Sequence, residues 1–361
     1  MELALKPDFE QAVERLEAWW HCEVIDRPCV QFTTAKEGDF PPMPDREHAT
    51  LRDRWMDVEY NVERAAAGLA RREYIGESFP SYMPNVGPDI CAALLGAELQ
   101  FMPGTTWPEP FVDDWASVDF TPQYESEYWQ TIRDMTALSL EMGEGRFITA
   151  ITDLHTNGDL LSAIRGREEI CLDVMDQPEE LRKAIDAVGA LYQGMYDDLW
   201  NPIRERGLGS TTWMSVYHQD GRCYGTNMDL AGLLSPAAFQ DLFLPIILDE
   251  IRFLDRSCFH LDGPTALCHL DTLLAIPELN GVQWVYGAGQ GPSTRWIDVY
   301  RRIQAAGKCA QVIIEHVSEI DVILAELPPE GLLFTGGGGG LSRDEGEAVL
   351  RNAEKACARG R

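Results

Sequence analysis

Apolar positions change rhythm along this chain. Between residues 8 and 22 they recur with a helical period, and Trp55, Val58 and Val62 draw an apolar stripe within a helical stretch over 47–70. Beyond residue 120, short apolar runs alternate with longer amphipathic ones. Strands are expected at 146–151, 211–217, 257–261, 281–285, 309–314 and 331–334, with an earlier one at 29–32. Between them the pattern predicts helices over 124–141, 177–205, 236–253, 293–306, 317–327 and 342–357.

Strands of four to six residues separated by helices of ten or more imply parallel strands joined by crossover helices. The succession runs to the last residues without a linker. The expected fold class is therefore α/β, a single (β/α)8 TIM barrel with an N-terminal helical extension. An open, doubly wound sheet is the alternative. Residues 1–120 supply helices, the first strand and a pocket-covering segment, and 121–361 form the main body of the same domain. The covering segment is 79–110, rich in glycine, proline and aromatic residues, which is costly to order unless it lies over something.

Candidate chemistry gathers where predicted strands end. In Phe259-His260-Leu261-Asp262-Gly263-Pro264, alternation puts His260 and Asp262 on one face of a strand, just before a turn. Comparable polar groups are Asp153 with His155, His218 with Asp220, Asn227 with Asp229, Gln283 with Trp284, and Glu315 with His316. At the carboxyl mouth of a barrel these would converge as catalytic groups, with His260, Asp262, Asp153, His155, His218 and Asp229 foremost. His260, Asp262 and Glu315 form a candidate metal-ligand set. Tyr82, Trp107, Trp213, Tyr217 and Trp284, with Asn227 and Gln283, are candidate pocket or cofactor contacts. Aromatic faces in acidic surroundings suit a methylated ammonium group. His269 and Asp271 fall on a following helix, and a structural role competes with a site role there. Arg27 is a candidate partner for a substrate carboxylate. Glycines 336–340 form a close-approach loop, without the lysine and hydroxyl residue that end a P-loop.

Charge and cysteine narrow the setting. Thirty basic and fifty-nine acidic residues leave a net charge of −29, which disfavours nucleic acid as a partner. No apolar run is long enough to span a membrane, and the first twenty residues carry internal acids rather than a signal core. The nine cysteines are scattered without a C-x-x-C pair. Reduced thiols in a cytoplasmic protein are the expectation.

The chain resembles the uroporphyrinogen decarboxylase superfamily over roughly 120–355. The likeness rests on Asp229 followed by Leu234-Ser235-Pro236 and Phe239, on Leu244-Pro245, on His260-Leu261-Asp262-Gly263, and on Pro328-Pro329-Glu330-Gly331-Leu332. Asp26-Arg27-Pro28 is a further echo. The superfamily includes cobamide-dependent methyltransferases, and this chain resembles that branch more than the true decarboxylases. The resemblance implies a (β/α)8 barrel and transfer of a methyl group from a small methylated compound to a corrinoid carried by a partner protein. A divalent metal such as zinc and a homodimer are also implied. Cofactor-free decarboxylation of a small or aromatic carboxylic acid is the alternative activity, and a non-catalytic ligand-binding barrel is a third. Two departures matter. The arginines expected after Arg27 are absent, and Asp262 stands where the methyltransferases place a zinc-binding cysteine. Any metal site is thereby made harder, with histidine and carboxylate donors.

Overall fold

The structure, a computed structural model, describes residues 2–360, with side chains described as far as residue 358. A central, mostly parallel sheet flanked by helices organises the chain. The strands in order are β1 (Cys29–Ala35), β2 (Arg72–Gly76), β3 (Ser81–Tyr82), β4 (Leu99–Phe101), β5 (Thr106–Pro108), β6 (Ile148–Thr149) and β7 (Ser210–Thr211). They continue with β8 (Tyr217–His218), β9 (Cys223–Asn227), β10 (Arg256–Asp262), β11 (Gly281–Val285), β12 (Cys309–Ile314) and β13 (Leu332–Gly336). Seven of them form one sheet in the order β2-β1-β13-β12-β11-β10-β9, parallel except for β2. Short pairs extend this arrangement: β3 lies parallel to β6, and β7 forms an antiparallel hairpin with β8. The Ile151 amide donates to Thr211 O at 3.1 Å, and Ser210 Oγ bonds the backbone of Cys223.

The two faces of the sheet serve different ends. Phe259, Leu261, Val282, Trp284, Val312 and Phe334 point outward into the large core shared with the helices. The opposite face holds a smaller core, where Phe9, Leu16, Trp19 and Trp20 of helix α1 (Phe9–Trp20) meet Cys29, Cys258, Cys309 and Leu333. Burying each such large apolar side chain contributes about 1.5–3 kcal/mol, so α1 is a firm plug under this face. Above it the inner face becomes polar. Asn227, His260, Gln283 and Gln311 are register partners on one row.

Several predicted elements are divided differently. The stretch 47–70 is two helices, Leu51–Met56 and Val58–Leu69, because the Asp57 side chain accepts from Tyr60 N and restarts the helix. The expected helix over 177–205 is split into Pro178–Gly189 and Tyr192–Glu205. The stretch 211–217, expected to be one strand, is the turn of the β7–β8 hairpin, with Ser215 at φ 55°. The strand proper follows at β9, whose five residues are all buried although three are Gly, Thr and Asn.

A buried ion pair ties β1 to the chain beyond β2. Arg27 donates two bonds of 2.7 Å to the fully buried Glu77, whose carboxylate also accepts from Val30 N. Glu77→Ala leaves the buried Arg27 cation with only the distant Glu354 carboxylate at 3.9 Å, and is expected to cost about 3–5 kcal/mol in urea unfolding. The double change Arg27→Met with Glu77→Leu should recover most of that loss. A loss below about 1 kcal/mol in the single variant would contradict this account.

Candidate functional site

Strand alternation delivers the first groups. His260 and Asp262 sit two apart on β10, and Asp229 lies just past the end of neighbouring β9. One ligand atom from each of Asp229, His260 and Asp262 lies within 4.8 Å of the others, so this small cluster can hold a divalent metal. One imidazole nitrogen and two carboxylates make a borderline-to-hard donor set.

The inner row fixes which His260 nitrogen is available. A backbone carbonyl only accepts, so Met214 O, 2.8 Å from Gln311 Nε2, dictates the direction of the chain above it. Gln311 Oε1 then accepts from Gln283 Nε2 at 2.8 Å, and Gln283 Oε1 faces His260 Nδ1 at 2.5 Å. Nδ1 must carry the proton, which leaves the Nε2 lone pair for a metal or a substrate proton. Trp213, on the β7–β8 turn, meets the His260 ring edge-on with centroids 4.8 Å apart. Its indole N–H is buried without a partner, as is Asp229 Oδ1.

A second histidine–carboxylate pair stands nearby. His155 Nε2 is 3.6 Å from the Asp153 carboxylate, on the loop that follows β6. Burial raises Asp153 above the usual carboxylate range, against the pull of His155 and His260. Burial alone would depress His155, but Asp153, Asp159, Asp229 and Asp89 together raise it. Asp89 is likewise raised by burial, against the pull of His155 and Arg167. Asp262 is raised by burial and by Asp229, with His260 opposing. Asp159 accepts from the backbone amides of Asp229 and Leu230 and from Asn227 Nδ2, yet burial and the Asp229 charge push it up to about 6. Asp89, Trp107, His155, Asp159, Arg167 and Asp229 line a cleft of about 460 Å³, and Trp107 stands at its rim, 58% exposed.

Other candidate residues lie elsewhere. His218 bonds Glu17 of α1 at 2.7 Å, beside the helical plug, and Tyr217 packs between Phe9 and Phe79. Trp284 points outward, its ring against Trp296, and Tyr82 is buried in the outer core. Glu315 is not in the metal group. Its carboxylate lies against Gly291, and Asp229 takes the place expected for it among the metal ligands. Asn227 and Gln283 do serve the site, by holding Asp159 and His260. His269 is buried, bonding Ala231 O and stacked on Phe239, while Asp271 pairs with Arg302 on the surface. Arg27 is occupied by Glu77. Of the 336–340 glycines, the first four help line a separate cleft of about 530 Å³ with Gln31, Thr33, Arg72 and Ser215. Asp89, Asp159 and Gln311 escaped the sequence reading. The available signal was an acid or amide within an otherwise apolar run, as in Leu160-Leu161 after Asp159 and Val312-Ile313-Ile314 after Gln311.

No protein-family model matches this chain, and no curated protein matches it in sequence. No helix among the described residues is long and apolar enough to cross a membrane.

The loop carrying His155 is anchored from below by Glu250, which accepts from Thr156 Oγ1 at 2.6 Å and from Asn157 Nδ2 at 3.2 Å. Burial pushes Glu250 up to about 8. The folded chain thus keeps a proton that the unfolded chain loses near its ordinary value of 4.5. The sign follows: Glu250 lowers stability progressively as pH rises from about 4.5 to about 8. Relative to Glu250→Gln, the wild type should lose up to about 1.4 kcal/mol per pH unit across that window. Urea titrations at several pH values check this, and parallel stability curves would refute it.

Proposed function

We propose that this chain is a (β/α)8-barrel enzyme that binds a divalent cation at the carboxyl ends of β9 and β10 and acts on a small methylated compound. Closure of the barrel is supported by the bonds that continue from β9 through Ser210 to β7, from Thr211 to the β6 segment, and from β6 to β3. The Glu77 amide, which donates to Val30 O at 2.9 Å, brings the chain before β3 back against β1.

The observation that carries the reading is the Asp229, His260 and Asp262 group, with a His260 tautomer that offers Nε2 as a ligand. A divalent ion held there by Asp229, His260 and Asp262 would supply Lewis-acid polarisation of a substrate oxygen or other atom bearing a lone pair, which an ammonium nitrogen lacks. The residues around it do the rest. Asp89, Asp159 and Asp229 outnumber Arg167 and His155 in the lining of the cleft, which favours a substrate bearing positive charge, such as a methylated ammonium group. His155, raised above its ordinary value by its carboxylate neighbours against the effect of burial, is the candidate proton donor. As a methyl group departs, the electron pair of the broken bond stays on the heteroatom, and His155 can protonate it. The resemblance to cobamide-dependent methyltransferases suggests a corrinoid on a partner protein as acceptor. A second reading, cofactor-free decarboxylation, is favoured by Asp153. It is a carboxyl group raised by burial and is suited to protonating the carbon that loses carbon dioxide.

Calorimetric titration of the metal-stripped chain with zinc and with manganese tests the first reading. One equivalent is expected to bind, with at least about tenfold weaker affinity in each of Asp229→Ala, His260→Ala and Asp262→Ala. Gln283→Leu, which removes the bond to Nδ1, should weaken binding by about 10–100-fold. Asp153→Asn should bind metal as the wild type does. Absence of stoichiometric binding in the wild type would sink the metal reading. Carbon dioxide release from carboxylic acids, lost in Asp153→Asn, would then identify the second.

A further inference from the structure

The opposite end of the sheet holds a pair of groups that the site does not use. Helix α1 ends in a Schellman turn, with Cys22 N donating to Trp19 O at 2.9 Å and Glu23 N to Ala18 O at 2.9 Å. The turn needs a left-handed residue, and Cys22 occupies it at φ 52°. Glycine or asparagine is the usual occupant, because a β-carbon is unfavourable there. A cysteine held in that conformation brings its sulfur to 3.2 Å from Cys309 Sγ. The surroundings are built closely on it: a β-carbon on Gly331 would stand 3.3 Å from Cys22 Sγ.

The two thiols are unequal. Cys22 is half-buried, whereas Cys309, the first residue of β12, is buried. The shared hydrogen bond with Cys309 and the charge of Lys308 hold the Cys22 thiol below its ordinary value, despite some burial. The same shared bond, with burial, pushes Cys309 well up. One sulfur is thus the more accessible and more acidic, and the other is a neighbour ready to react with whatever forms on it.

We propose that Cys22 and Cys309 form a redox-responsive dithiol that closes to a disulfide on exposure to a peroxide. The Cys22 thiolate attacks a peroxide oxygen, the O–O bond breaks, hydroxide leaves, and Cys22 becomes a sulfenic acid. The Cys309 sulfur then loses its proton and attacks Cys22 Sγ, the S–O bond breaks, and water leaves. In sum two thiols lose two electrons and two protons, and the peroxide is reduced. The sulfurs must approach by roughly 1.2 Å to reach bonding distance, a movement within reach of side-chain rotation. The product ties the end of α1 to the floor of the sheet and uses none of the candidate metal ligands. The proposal therefore stands independently of the metal reading.

Treating the full chain with hydrogen peroxide, alkylating free thiols and mapping peptides by mass spectrometry tests it. The expected product is a peptide pair joined through Cys22 and Cys309 and separated again by dithiothreitol. Cys22 should oxidise at least about tenfold faster than the exposed Cys268, which serves as an internal reference. In Cys309→Ser the reaction should halt at the Cys22 sulfenic acid, captured by dimedone. Cys22→Gly supplies the residue the left-handed turn favours, and should fold while losing the cross-link. Absence of the joined peptides, or a Cys22 that oxidises no faster than Cys268, would overturn the proposal.

Discussion

A backbone carbonyl cannot donate a hydrogen bond, and that limit at Met214 sets the polarity of everything above it. Gln311, Gln283 and His260 are aligned by strand register, so each amide has one choice once its neighbour has made its own. Reversing any member would place two donors or two acceptors face to face in a buried setting. The row is therefore both a structural bond chain across three strands and a selector of imidazole tautomer. The polar inner face does not weaken the sheet, because the apolar work is done on the outer face and by α1 beneath.

Opposed to this ordered row is a deliberate excess of negative charge. Asp89, Asp153, Asp159, Asp229 and Asp262 interact with one another, and the basic groups among them are His155, His260 and Arg167. Buried backbone amides stabilise Asp159, yet its carboxyl group is still raised. An arrangement that pushes carboxyl groups upward is relieved by binding positive charge, whether a metal ion, a proton or a cationic substrate. Elsewhere buried charge is matched instead of left in excess, as at Arg27 and Glu77, where bidentate geometry satisfies both groups.

Much of the framework was legible in the sequence because it depends on periodicity. His260 and Asp262 were found on one face since a period of two leaves no other outcome, and the strand-then-helix succession after residue 250 follows the expected order. The β7–β8 hairpin was not legible. Thr211 to Tyr217 alternates well enough for a strand, and only the left-handed Ser215 turns it back on itself. β9 was passed over for the converse reason, because Gly225, Thr226 and Asn227 are buried without being hydrophobic: Gly225 by close approach of Met214, and Asn227 by its bond to Asp159. His218 sat beside a strand end in the sequence, but the chain there runs in the reverse direction, which carries it down to Glu17. Asp159 and Gln311 are single polar residues in apolar runs, and only the fold shows what they face.

The hairpin turn has a consequence of its own. Met214 lies so near Gly225 that a β-carbon there would meet its sulfur at 2.2 Å, while Met214 O and Ser215 O accept from Gln311 and Gln31. The turn is thus a fixed partition rather than a moving flap. On one side Trp213 leans on His260, and on the other Ser215 borders the cleft lined by Gln31, Arg72 and the glycine loop. Residues 213 and 215, neighbours but one in the sequence, thus face different surroundings: Trp213 the imidazole of the candidate metal group, and Ser215 a cleft that lies apart from it. A change at either position would be felt first on its own side of the turn.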